Sequence, residues 1–246
     1  MAAGARRPIA VVFDIDGTLC DSFALGFGAT NTVLARHGYA EIDAAAYHAG
    51  CVYTTPSRLA RHAVGGEDAA IGERLGADFD ETYVALVDAS TAGFYPGIAP
   101  ILARIAAADG AALAALTNAA VLYGEAVLEA NGVREAFGSV HGADSVPKPK
   151  PHADGLLRVA ADLGVPPERC VYVGDAPSDG AAAVAAGYGG VVGVSYGSHA
   201  ESVLVDTGHF DVICPTVGAL EAALFPKGAG DDAEALAGAL RARAPA

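Results

Sequence analysis

The chain has 246 residues, 52% of them hydrophobic, and a formal net charge of −14 at pH 7. That length fits one large domain or a domain with an insertion, and the acidity argues against a partner held through a nucleic-acid phosphate backbone. No apolar run reaches the roughly 18 residues that span a bilayer, so no membrane partner is expected.

Arg6 and Arg7 precede an apolar segment as in a signal peptide, but that segment is only Ile9–Phe13 and runs straight into acids. It reads as a buried strand. Asp14 and Asp16 follow at once, two residues apart, and so emerge on the same side where the strand ends. Two carboxylates that close need a cation or a shared proton, and Gly17 lets the backbone turn behind them. Alone, an apolar run ending in Asp-x-Asp-Gly also fits a calcium loop or a capped turn. The rest of the chain separates these readings.

From Asp21 to Ala92 no convincing strand occurs, only helical pattern over Phe23–His37, Pro56–Val64 and Asp68–Ala89. Thr55-Pro56 looks like a helix start, with Thr55 as N-cap and proline in the first turn. About seventy helical residues after one strand read as an inserted all-α unit. Phe94-Tyr95-Pro96-Gly97 marks the return to the sheet.

Strand-like runs then recur at Ala112–Leu116, Ser139–Gly142, Cys170–Val173, Val191–Ser195 and Phe210–Cys214. Amphipathic segments such as Val121–Asn131, Ala153–Leu163 and Asp179–Ala186 separate them. This alternation predicts an α/β fold with a parallel sheet and right-handed crossovers. Lys227–Gly230 reads as a linker and Asp231–Arg243 as a short helix with its acids first and its arginines last. The four cysteines (Cys20, Cys51, Cys170, Cys214) lie far apart with no CxxC pair. A disulfide or zinc framework is not expected, a reducing cytoplasmic setting is, and Cys20 reads as a small buried residue.

Four sites at the carboxyl ends of predicted strands carry the chemistry. They are Asp14-Ile15-Asp16-Gly17-Thr18, then Thr117-Asn118 before a helix, then Lys148 in Lys148-Pro149-Lys150-Pro151, then Gly174-Asp175-Ala176-Pro177-Ser178-Asp179. A hydroxyl beside a helix N-terminus forms an anion site. The chain has twelve arginines but only three lysines, two of them in that proline-stiffened tetrapeptide, which points to a need for a compact charge. An oxygen-only set of aspartates selects magnesium over zinc.

The segments FDIDGTL, LTN, KPKP and VGDAPSD resemble the four signature motifs of the haloacid dehalogenase superfamily in order and spacing, over roughly residues 9 to 225. DGTLCDS, YPGI, TN, KPxP and GVSYG bring the chain nearest to its phosphoglycolate phosphatase-like branch. The resemblance implies a Rossmann-like core over 1–20 and 92–226, an inserted helical cap over 21–91, and a linker with a short helix over 227–246. It implies a magnesium-dependent phosphatase for a small phosphorylated metabolite such as phosphoglycolate, acting through an aspartyl-phosphate. Asp14 would be the nucleophile and Asp16 the acid and base. Thr117, Asn118 and Lys148 would hold phosphoryl oxygens, with Lys148 preferred to Lys150 because the family pattern puts the essential lysine before the first proline. Asp14, the main chain of Asp16, Asp175 and, through water, Asp179 would hold the metal. In the cap, Tyr53, Arg58 and Arg61 fall where relatives contact the leaving group.

Two departures stand out: Ala119 replaces a lysine common in the branch, and Lys150 fills the variable position of KPxP. Asp16 and Asp175 argue against a dehalogenase, which needs neither. The absence of lysine before residue 148 excludes a Schiff-base phosphonatase. A sugar phosphomutase keeps the same motifs, and an inactive binding protein of this fold would have lost one; none is lost.

Overall fold

The computed structural model describes residues 9–226. Its centre is a six-stranded parallel sheet of β1 (Ile9–Phe13), β2 (Ala111–Leu116), β3 (Phe137–His141), β4 (Cys170–Gly174), β5 (Gly190–Val194) and β6 (Val212–Cys214), in the order β3-β2-β1-β4-β5-β6. The short helix expected over 231–243 lies outside the described residues.

β1 is buried along its whole length and alternates between two cores. Ile9, Val11 and Phe13 join the cluster containing Ile101, Leu102 and Ile105 of α5 (Ile98–Ala107), Val127 and Leu128 of α6 (Val121–Ala130), and Leu220 and Leu224 of α10 (Val217–Leu224). Ala10 and Val12 face Leu156 and Val159 of α7 (Asp154–Leu163) and Ala182 and Ala183 of α8 (Pro177–Ala185). Helices on both faces follow from parallel crossovers of one hand. α9 (Glu201–Thr207) links β5 to β6.

Between β1 and β2, ahead of α5, come α1 (Phe23–Arg36), α2 (Ala44–Gly50), α3 (Thr55–Val64) and α4 (Ala69–Ala85). Asp43 and Asp68 cap α2 and α4, accepting from Ala46 N–H at 2.8 Å and Ile71 N–H at 2.9 Å. The N-cap of α3 is Thr54 rather than the expected Thr55, which is already helical, and the Thr54 side chain makes no capping bond. The apolar residues of this insert, among them Leu34, Leu59, Leu75 and Phe79, are continuous with the sheet's own cluster. Its two connections run side by side: Cys20 and Phe94 form an antiparallel bridge, and Tyr95 N–H donates to Leu19 C=O at 2.9 Å. Asn131, at the end of α6, holds the second connection through Phe94 N–H (3.1 Å) and Ala92 C=O (3.0 Å).

The register brings three strand ends level. Phe13 pairs with Ala115 on one side and Val173 on the other, so Asp14, Thr117 and Asp175 leave the sheet at one edge. Chain order reverses at β1, which is where open α/β sheets bind ligands.

Candidate active site

Asp14 follows β1 directly, and its N–H donates to Val173 C=O at 2.9 Å. Its carboxylate is buried, and Oδ1 accepts from Lys150 Nζ at 2.8 Å. Lys150 Nζ also donates to Asp179 Oδ1 (2.7 Å), Tyr172 Oη (3.1 Å) and Leu116 C=O (3.2 Å). Burial opposes a charge on this lysine, but Asp14 and Asp179 outweigh it and raise its pKa. Lys150 is a fixed cation inside the cluster.

Asp175 and Asp179 complete the group. Asp175 Oδ2 accepts from Ser198 N–H at 2.6 Å, and Asp179 Oδ2 accepts from Ala176 N–H at 2.9 Å, closing the first turn of α8. One oxygen from each of Asp14, Asp175 and Asp179 can be chosen so that all three lie within 4.8 Å. Burial and then Asp179 raise the pKa of both Asp14 and Asp175, the latter to about 7. Buried, crowded, oxygen-only donors fit a hard dication, and one lysine does not balance three carboxylates. The space is tight: Gly17 has φ +76°, and a Cβ there would overlap Asp175 Oδ2.

Asp16 takes a different direction. Its Oδ2 accepts from Thr117 Oγ1 at 3.3 Å, and its Oδ1 accepts from Tyr123 at 2.6 Å, Tyr83 at 3.1 Å and Ser22. This side chain lies outside the carboxylate trio, which leaves the Asp16 main-chain carbonyl for the expected metal role. Thr117 is buried, and its Oγ1 accepts from Ala119 N–H at 3.0 Å.

The lysine expectation needs correction. Lys148 is exposed, and Lys150 occupies the cluster. Asn118, expected on a phosphoryl oxygen, accepts from Lys150 N–H and donates to Lys150 C=O, both at 3.0 Å. That clamp fixes the second Lys-Pro of the tetrapeptide at the site and leaves the first outside. The insert residues also divide. Arg61, half-buried, pairs with Glu67 at 2.6 Å and its guanidinium lies 4.0 Å from the ring centroid of Tyr53, and both partners are exposed. Arg58 is buried over the rings of Tyr47 (5.1 Å) and Phe79 (4.8 Å), and its Nε has no hydrogen-bond partner.

Tyr172, Tyr83, Tyr123, Ser22 and Ser198 were not expected here. Tyr172 carries one sequence signal: a hydroxyl in an otherwise apolar, fully buried strand must find a partner. Ser22 closes the DGTLCDS segment, from which no role for it is read, and Tyr83, Tyr123 and Ser198 sit on helices and a loop where no motif marks them. All four cysteines are free, and burial, then Asp16, raises the Cys20 thiol well above its ordinary pKa, so it is an inert core residue.

A profile of haloacid dehalogenase-like hydrolases matches residues 10–187. The phosphoglycolate phosphatase of Xanthomonas campestris pv. campestris is 34% identical over 182 residues, covering 74% of this chain and 81% of that protein. Among solved structures, a haloacid dehalogenase-like hydrolase from Bacteroides fragilis superposes with a TM-score of 0.76 at 24% identity, over 87% of this chain and 100% of that one. CbbY from Rhodobacter sphaeroides, solved with phosphate, gives 0.74 at 28% identity over 87% and 96%.

Proposed function

The chain belongs to the haloacid dehalogenase-like hydrolases as a phosphatase, and we propose that it hydrolyses a small carboxylated phosphomonoester of the phosphoglycolate kind through an aspartyl-phosphate on Asp14. The observation that carries this reading is the Asp14 carboxylate, buried against Lys150 beside Asp175 and Asp179, with Asp16 two residues on but directed elsewhere.

Asp14 attacks phosphorus in line with the leaving oxygen, and Lys150 balances charge that otherwise repels a carboxylate from a phosphate dianion. Asp16 gives its proton to the departing alkoxide, then takes one from the water that cleaves the acyl phosphate and restores Asp14. Thr117, hydrogen-bonded to Asp16 at 3.3 Å, supplies a hydroxyl for a phosphoryl oxygen, and Asn118 keeps Lys150 in position. Asp14, Asp175, the Asp16 carbonyl and Asp179 would hold magnesium, which polarises the phosphoryl group when bound. Residues 21–91 act as a cap over a core formed by 1–20 and 92–226, and closing it excludes bulk water. Within that cap, Arg58 supplies a desolvated guanidinium for the substrate carboxylate. Free cysteines and family membership favour a cytoplasmic setting.

The test is a panel of phosphorylated metabolites assayed for released inorganic phosphate with and without magnesium. Phosphoglycolate turnover above that of neutral alkyl phosphates, lost in Asp14→Asn, supports the reading. An isomerised sugar phosphate without phosphate release would replace it with a mutase.

A further inference from the structure

Four hydroxyls converge on the Asp16 carboxylate, and two of them come from one stacked aromatic pair. Tyr83 lies on α4 in the insert and Tyr123 on α6 in the core; their rings are parallel within 8° at a centroid distance of 3.9 Å. Phe79 backs Tyr83 at 4.9 Å. Both tyrosines are buried, and both give their hydroxyls to the same oxygen, Asp16 Oδ1, at 3.1 and 2.6 Å. A buried phenol needs an acceptor, but packing alone does not require two phenols from separate parts of the fold to share one atom.

We propose that Tyr83 and Tyr123 are positioning residues that set the orientation of Asp16 for proton transfer, with Tyr83 making that orientation depend on the docked insert. Tyr123 belongs to the core and stays with Asp16 whatever the insert does. Tyr83 travels with α4, so lifting the insert removes one donor from Oδ1 and one face of the stack. Ser22, at the first connection, adds a third donor from the junction itself. Asp16 is held by the full set only while the insert is docked, which confines proton delivery to the covered site. This inference rests on Asp16 being the acid of the proposed reaction, and its test separates the two claims.

Tyr83→Phe and Tyr123→Phe keep the rings and delete the hydroxyls. Their kcat/KM, which reports only the steps up to release of the leaving group, is measured on phosphoglycolate, whose alkoxide needs a proton, and on p-nitrophenyl phosphate, whose phenolate leaves with little help. Each variant is expected to lower the phosphoglycolate-to-aryl activity ratio by about five- to twentyfold, a fraction of what a general acid contributes. Asp16→Asn is expected to lower the same ratio further, and Tyr83→Phe added to Asp16→Asn to change it no more. An unchanged ratio in both phenylalanine variants overturns the positioning role while leaving Asp16 as the acid, as does an additive loss in the double variant. An unchanged ratio in Asp16→Asn removes the acid itself. Thermal melting and circular dichroism of each variant confirm that folded protein was assayed.

Discussion

The side-chain amide of Asn118 grips the main chain of Lys150 at both its N–H and its C=O, each at 3.0 Å. A residue at the end of β2 thereby fixes where the loop after β3 delivers its cation. The proposed phosphoryl contact of Asn118 is thus replaced by a structural one, and the choice between two lysines is made by a backbone clamp.

Replacing either partner weakens catalysis, to different degrees. Lys150→Ala is expected to cost about 10²–10³-fold in kcat, the scale of losing one preorganised charge donor. Asn118→Ala leaves the lysine present but misplaced, for a loss on the order of ten- to a hundredfold. Lys148→Ala, at an exposed position, stays within about twofold. Steady-state kinetics on the three variants decide the matter, and a larger loss in Lys148→Ala than in Lys150→Ala reverses the assignment.

The carboxylate trio makes metal dependence the expected behaviour. Exhaustive chelation is expected to abolish turnover and magnesium to restore it. A dication that binds only the folded chain raises the melting temperature, by about 2.7 kcal/mol of stability at a hundred times its dissociation constant. In Asp175→Asn the melting temperature should no longer respond to magnesium. A wild-type melt that ignores magnesium removes Asp14, Asp175 and Asp179 as a metal site.

Arg58 and Arg61 separate by environment. Arg58→Ala should raise KM for phosphoglycolate and lower kcat/KM about ten- to a hundredfold, the worth of a charge-assisted bond of roughly 1.5–3 kcal/mol. p-Nitrophenyl phosphate, with no carboxylate, should lose far less. Arg61→Ala should stay within about twofold on both, because Arg61 already pairs with Glu67 on the surface. Equal losses on both substrates in Arg58→Ala assign that residue to packing between Tyr47 and Phe79.

The insert carries a pH-sensitive strain at Asp80 on α4. Burial, then Asp144 in the loop after β3, raises its pKa from 3.8 to about 6, against the pull of Arg58. A carboxyl whose folded pKa lies above its unfolded one stabilises the fold below about pH 4 and loses that contribution as pH rises through 6. Asp80→Asn should therefore melt higher than wild type at pH 8, by on the order of 1 kcal/mol after solvent screening is discounted, and match it near pH 4. Melting curves at the two pH values check this, and a variant less stable at pH 8 contradicts it.

Much of the sheet was readable because buried parallel strands are short apolar runs. Ile9–Phe13 has the expected limits, and the other five strands shift by one or two residues at one or both ends. In the insert, α3 was anticipated and α2 was not, since Ala44–Gly50 is a short stretch with little apolar pattern. The motif aspartates stand out because they come in pairs just beyond two strand ends, Asp14 and Asp16 after β1 and Asp175 and Asp179 after β4. Lys148 and Lys150 defeated the same logic: two tandem Lys-Pro steps look alike in one dimension, and only the distance from Asn118 tells them apart. Tyr83 and Tyr123 left no trace, because a tyrosine on an amphipathic helix looks the same whether its hydroxyl meets water or Asp16.

The central place of β1 has a bearing on how the chain comes to life. Its neighbours β2 and β4 begin at residues 111 and 170, and the ion pairs of Asp14 and Lys150 are completed by Asp179. During synthesis the first aspartate appears early and its partners late: Lys150 follows the whole insert and β3, and Asp175 and Asp179 follow β4. A growing chain that ends before α8 displays Asp14 and Asp16 without the full counter-charge and carboxylate set that put them to use. The buried cluster of Asp14, Lys150, Asp175 and Asp179 is therefore complete only once β4 and α8 have docked on β1.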